Sequence, residues 1–179
     1  MRSDRTPSAY DSLFLVANMK IDIVTGNILD QKTEVIVNSW NRNVIPWWLL
    51  LPQGVSGAIK KQGGITPFRE VAKCGTIPLG EARLTSAGRL PFQGIIHVAG
   101  INLLWFATEY SVTNSVINAM KVVNENQFQS VAFPLIGSGS GNRGKAWSLN
   151  VMRNAFEKIE NQAHVVIVKY RVSNDSIGH

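Results

Sequence analysis

Val37-Asn38-Ser39-Trp40-Asn41 and Gly137-Ser138-Gly139-Ser140-Gly141-Asn142 decide how this chain is read. The first closes a short run, Glu34 to Val37, and the second closes a longer one, Val131 to Ile136. Both runs have the apolar character of buried strands, and each hands the backbone to a polar turn. In an open α/β sheet, ligands sit in the crevice beyond the carboxyl ends of the strands. Glycine-rich turns placed there present N–H groups to phosphate. Two such turns after two separate strands suit a pyrophosphate flanked by sugars.

Outward from these stretches, strand and helix patterns alternate. Lys20 to Val24 alternates like a half-buried strand, Glu81 to Ser86 alternates again, and Gly94 to Val98 is a strongly apolar strand carrying His97. His164 to Tyr170 closes the chain as a last strand. Val55–Lys61 and Pro67–Lys73 predict short helices. Glu109 to Phe128 has helical periodicity, with Val116, Ile117, Met120 and Val123 on one face. Lys145 to Glu160 predicts another helix, with Leu149, Met152, Phe156 and Ile159 inward and Arg153, Glu157 and Lys158 outward. Such alternation predicts a mixed, mainly parallel sheet covered on both faces. Ser39 to Gln53 is the long irregular span, and spans of that length are more often functional than idle.

The totals agree with one domain. The chain has 179 residues, 45% hydrophobic and 17% charged, an ordinary globular balance. Its longest apolar run, Val44 to Leu51 with Pro46 inside, falls short of the ~20 residues of a membrane span. The single cysteine excludes an internal disulfide and fits a cytoplasmic location. The net charge of +6 is uneven: between Lys32 and Arg89, eight basic residues face three acidic ones. That balance suits an anionic partner, either a phosphate-bearing small molecule or nucleic acid, and equally a merely solvated surface. Leu13 to Ala17 is too short, and its flank too mixed in charge, for a signal peptide. Residues 1–18 are therefore an extension, either an extra strand or a disordered leader with Met19 as an alternative start. Residues 19–171 form the domain and 172–179 a tail.

Several side chains are candidates for chemistry. Asn38 and Asn41 carry amides suited to hydroxyl-rich ligands, or else satisfy loop backbone. Gly54-Val55-Ser56-Gly57-Ala58-Ile59 enters a helix whose first N–H groups and positive dipole end face the same crevice. His97 reads as a buried strand histidine and Cys74 as a packed thiol, while Glu81 and Arg83 read as strand surface. With no cysteine or carboxylate cluster beside His97, no metal or cofactor is expected. The loop from Arg42 to Pro52 holds two prolines and the pair Trp47-Trp48. It is read either as a lid or gripping surface, or as packing onto the neighbouring helix.

Taken in order, six segments resemble the signatures of a macro domain, the ADP-ribose-binding module. They are Thr25-Gly26-Asn27-Ile28, Val35 to Asn41, Gly54 to Ile59, Gly80-Glu81-Ala82, Ile95-Ile96-His97 and Ala132 to Gly139. The resemblance runs from about Met19 to about Tyr170. It implies a three-layer α/β/α sandwich with a mixed six-stranded sheet. It also implies that Asn27 meets adenine, in place of a more usual aspartate, with the Ile28 backbone beside it. Asn41 would contact the distal ribose and help place a water. Gly54, Val55, Ser56 and Gly57 would form the first phosphate loop. Gly137, Ser138, Gly139, Ser140, Gly141 and Asn142 would form the second.

Departures from the pattern bear on catalysis. Ser56 stands where one hydrolytic branch has an aspartate, Ser140-Gly141-Asn142 holds no carboxylate, and Gly141 replaces an aromatic that often covers the distal ribose. The expected function is ADP-ribose binding, with hydrolysis of mono-ADP-ribosyl or O-acyl-ADP-ribose linkages by a water placed by Asn41 and the substrate phosphate. A non-catalytic reader of ADP-ribose is the alternative, and a nucleic-acid-binding module a weaker one. The expected partner is ADP-ribose or an ADP-ribosylated macromolecule, with no membrane contact.

Overall fold

A computed structural model of the chain describes residues 10–16, 19–44, 46, 48–49, 54–102, 104–139 and 141–170. Seven strands lie along them: β1 (Tyr10–Val16), β2 (Met19–Gly26), β3 (Val35–Trp40), β4 (Ala82–Thr85), β5 (Gly94–Ala99), β6 (Ser130–Pro134) and β7 (His164–Tyr170). Four α-helices accompany them: α1 (Gly54–Gly63), α2 (Thr66–Lys73), α3 (Glu109–Glu125) and α4 (Lys145–Phe156). The strands form one sheet in the order β1-β2-β7-β6-β3-β5-β4. From β2 to β5 they run parallel, while β1 and β4 pair antiparallel at the two edges.

Side-chain alternation along the strands builds two cores. Val35 and Val37 of β3 join Phe133, Ile96 and Ile167 beneath α3 and α4, where Val116, Met120, Met152 and Phe156 are buried. Ile36 and Trp40 turn the other way, joining Ile59, Phe68 and Val71 of α1 and α2. Parallel strands covered on both faces must be apolar on both, and β5 is buried along its whole length. Helix α3 starts at a capping box in which Thr108 accepts from the Ser111 N–H at 3.1 Å and Ser111 Oγ accepts from the Thr108 N–H at 2.9 Å.

The six strands read between Met19 and Tyr170 are all present, and Tyr10–Val16 adds a seventh beside β2. Element ends differ more. Strand β3 runs on through Asn38, Ser39 and Trp40, which pair with His97, Val98 and Ala99, so the irregular span begins at Asn41. Strand β6 stops at Pro134, α3 at Glu125 and α4 at Phe156, each short of its expected end. Ile117 is half-buried, the other three α3 residues fully so.

Candidate functional site

Strands β3 and β6 are parallel neighbours, with Val35 opposite Val131 and Ile36 opposite Ala132. Their carboxyl ends therefore leave the sheet at one edge, and the segments that follow emerge side by side. Strand β2, parallel to β7 and hence to β6, delivers Asn27 to that same edge.

The turn after β6 is held by its own backbone. Gly137 has φ +88°, in the region that glycine enters without a Cβ penalty. Ser138 donates its N–H (3.2 Å) and hydroxyl (2.9 Å) to the Leu135 carbonyl. The Asn142 N–H reaches Gly139 O, and the Arg143 N–H reaches Gly137 O, both at 3.1 Å. The turn is fastened to the β5–α3 connection by Ala107 N–H to Gly141 O at 3.1 Å and by Arg143 Nε to Ala107 O at 2.9 Å. The Arg143 guanidinium lies 4.8 Å over the Trp147 ring, which leaves this positive charge beside the turn. A Cβ on Gly139 would meet nothing within 4 Å, whereas one on Gly141 would sit 2.6 Å from Gly137 Cα. Gly141 is thus compelled by packing, and no covering aromatic can occupy that position.

The segment after β3 is pinned at its start. Asn41 Oδ1 accepts the Asn43 N–H at 2.6 Å. Asn43, at φ +59°, sends its Nδ2 to the carbonyls of Val71 (2.9 Å) and Gly75 (2.8 Å) at the end of α2. Helix α1 then begins at Gly54, φ +56°. The first four N–H groups of a helix have no partner within it, and they concentrate positive potential at that end.

Beneath α1 lies a chain of buried polar groups. Ser56 Oγ donates to Asn38 Oδ1 at 2.7 Å, Asn38 Nδ2 meets His97 Nδ1 at 3.1 Å, and His97 Nε2 meets Thr85 Oγ1 at 2.9 Å. Asn38 and His97 are wholly buried. Burial alone lowers the His97 pKa from 6.5 to about 3, so the ring is neutral. Trp40 and Phe68 pack against the same ring at centroid distances of 6.3 and 6.1 Å.

Against the sequence reading, Asn38 is corrected. It lies in the strand, not in a loop, and both ends of its amide are engaged inside the fold. Cys74 is exposed, its Sγ 3.7 Å from Glu70 O, because it stands at the C-cap of α2 with its side chain turned to solvent. Asn27 caps the short 3-10 turn Ile28–Asp30 by accepting the Leu29 N–H at 3.1 Å, while the Ile28 side chain is buried in the α1–α2 core. Trp48 and Leu49 are exposed, so packing onto a helix does not account for them; Trp47 and Ser140 lie outside the described residues. Glu81 and Arg83 form a part-exposed ion pair at 3.5 Å on the strand surface. Sequence reasoning missed Asn43, Thr85 and Arg143. The usable signals were an Asn suited to positive φ and an arginine just past a glycine turn. Thr85 gave none.

A concavity of about 770 Å³, lined by Asn124, Gln127, Gln129 and Asn161 among others, sits at the amino ends of β6 and β7. That is the opposite edge from the turns. Among the described residues no group of His, Cys, Asp or Glu could hold a metal ion, and no helix is long and apolar enough to cross a membrane.

The family pattern described as Macro domain matches residues 37–152. This chain belongs to the macro domain family. A macro domain-containing protein of Caldanaerobacter subterraneus is 33% identical over 129 residues, covering 68% of this chain and 70% of the relative. A protein of Citrobacter rodentium named O-acetyl-ADP-ribose deacetylase is 31% identical over 133 residues, covering 68% and 70%. The Oceanobacillus iheyensis macrodomain solved with ADP superposes with a TM-score of 0.74 at 27% identity, over 92% of this chain and 90% of that one. A variant of the same macrodomain, solved with ADPR, has a TM-score of 0.73 at 26% identity, over 92% of this chain and 91% of that one.

Proposed function

We propose that this macro domain binds ADP-ribose at the edge where β2, β3 and β6 end, and hydrolyses it from ester linkages, whether on a modified macromolecule or in O-acyl-ADP-ribose. The observation that supports binding is the parallel pairing of β3 with β6, which sets the α1 N-terminus and the Gly137–Asn142 turn on one edge. The pyrophosphate takes N–H groups from both. Asn27 and the Ile28 backbone take the adenine, and Asn41 the distal ribose. Asn38 supports Ser56 from within and makes no contact.

Neither loop holds a carboxylate among the described residues, so the general base must come from the substrate. Asn41 orients a water whose oxygen attacks the ester carbonyl carbon. One water proton passes to a pyrophosphate oxygen and on to the ribose oxygen as its bond to the acyl carbon breaks. The products are ADP-ribose and a carboxylic acid. Helix and turn N–H groups offset the charge that develops, and orientation supplies the rest of the acceleration. Names of relatives such as the Citrobacter deacetylase favour this chemistry.

A second reading, a reader that binds without turnover, is favoured by Ser56 standing where one hydrolytic branch carries an aspartate and by the lack of a carboxylate in Ser140-Gly141-Asn142. Calorimetric titration with ADP-ribose, followed by a turnover assay on the same sample, separates the two. Release of ADP-ribose above an Asn41→Ala background supports the hydrolase. Binding without release leaves the reader, and no heat of binding overturns both.

A further inference from the structure

Strand β1 ends the sheet on one side and β4 ends it on the other, and the two margins are built differently. Strand β4 is four residues long, lies against both α2 and α3, and carries Arg83, whose Nη1 donates to the Ala82 carbonyl at 2.7 Å. Brevity, cover and a charged side chain are the usual guards of an outer strand. Strand β1 is seven residues long, and among the described residues β2 is the one element it lies along. Its register shifts only near Asp11; from Ser12 to Val16 it pairs with Ile23 to Met19. That stretch, Ser12-Leu13-Phe14-Leu15-Val16, holds no charge, no proline and no glycine.

A strand in an antiparallel pair turns the N–H and C=O groups of alternate residues away from its partner. On β1 those groups face outward, and among the described residues no segment besides β2 bonds to its backbone. Another extended strand satisfies them in kind. We propose that this strand comes from a second copy of the chain, with β1 pairing antiparallel to β1 across a two-fold axis. The segment suits itself. With the axis at Phe14, Phe14 stands opposite Phe14, Leu13 opposite Leu15 and Ser12 opposite Val16, while Asp11 falls beyond the overlap, so no like charges meet. A two-stranded margin is weak alone, and the pairing joins two of them into four strands, β2-β1-β1-β2. The guarded β4 margins do not continue the sheet, so the assembly closes at two copies. Because β1 opposes β2 in each copy and the copies oppose each other, the two β2 strands run antiparallel. The carboxyl ends of the strands, with the Gly137–Asn142 turn, then point to opposite sides of the shared sheet, and neither crevice faces the other copy.

Sedimentation and cross-linking of the full chain test this. Between about 1 and about 500 μM, the mass per particle is expected to rise from one chain to two and no further. The double substitution Leu13→Lys, Leu15→Lys sets like charges opposite each other and should hold the protein at one chain. Cysteines at directly opposed positions of paired strands lie within reach of a disulfide. In a Cys74→Ser background, which removes the exposed native thiol, oxidised Phe14→Cys should therefore cross-link into a two-chain species at least about tenfold faster than Arg83→Cys on the other margin. A single chain at every concentration, or growth beyond two chains, overturns the proposal. So does a two-chain particle that survives the double lysine substitution, or a Phe14→Cys rate no faster than that of Arg83→Cys. None of these readouts involves ADP-ribose, so the result stands apart from the function proposed above.

Discussion

Two glycines of the second turn separate what folding needs from what the ligand needs. A methyl on Gly137 would lie 2.6 Å from Ala107 Cβ, at φ +88°. Gly137→Ala should therefore cost about 2 kcal/mol or more, read as a lowered urea midpoint. Gly139 faces open space, so Gly139→Val should leave the midpoint within about 0.5 kcal/mol and abolish the heat of ADP-ribose binding. A retained binding heat would remove this turn from the site. His97 gives a pH dependence. Its folded pKa of about 3 lies below the ordinary 6.5, so the unfolded chain binds the extra proton. The contribution is fully present above pH 6.5 and is lost as pH falls toward 3, at about 1.4 kcal/mol per unit. Between pH 7 and 5 the unfolding free energy should drop by about 2 kcal/mol more than in His97→Gln. The burial of His97 was legible from its apolar strand. The direction of its hydrogen bonds was not, because Thr85 lies on another strand.

At the scale of elements, periodicity served well wherever one face is buried. Helices α1, α2 and α3 begin within one residue of their expected starts, and α4 begins at its expected residue, since apolar spacing and the capping Thr108 are local signals. Strand β3 ran three residues past its expected end because Asn38 looks like a turn residue. Its amide is tolerated in the sheet only through Ser56 and His97, which come from other elements. The start of the 41–53 segment depends on Asn43, which ties it to the end of α2. Asn43→Ala should lose both bonds and strain φ +59°, lowering stability by about 1–2 kcal/mol and weakening ADP-ribose binding, both measurable by denaturation and calorimetry.

At the scale of the molecule, the positive net charge raises the nucleic-acid alternative, and salt decides it. Raising salt from about 50 to 200 mM should weaken binding of ADP-ribose, with its two charges, by no more than about tenfold. A polyanion held by many phosphate contacts would lose about a thousandfold or more. A steep slope on a nucleic-acid strand, with no ADP-ribose binding, would favour that alternative. The sequence by itself determined the order of strands and helices and the two turns, because hydrophobic spacing and turn chemistry are written along the chain, and the resemblance of six ordered segments gave the family. Only the tertiary structure decided which strands are neighbours, that Tyr10–Val16 joins the sheet, that Asn38 faces inward and that Gly141 has no room for a side chain. Strand neighbours and the setting of Asn38 depend on groups far apart in sequence meeting across the sheet, β1 on its pairing with β2, and Gly141 on Gly137 and Ala107 packed beside it, so a side chain's role follows from what it meets.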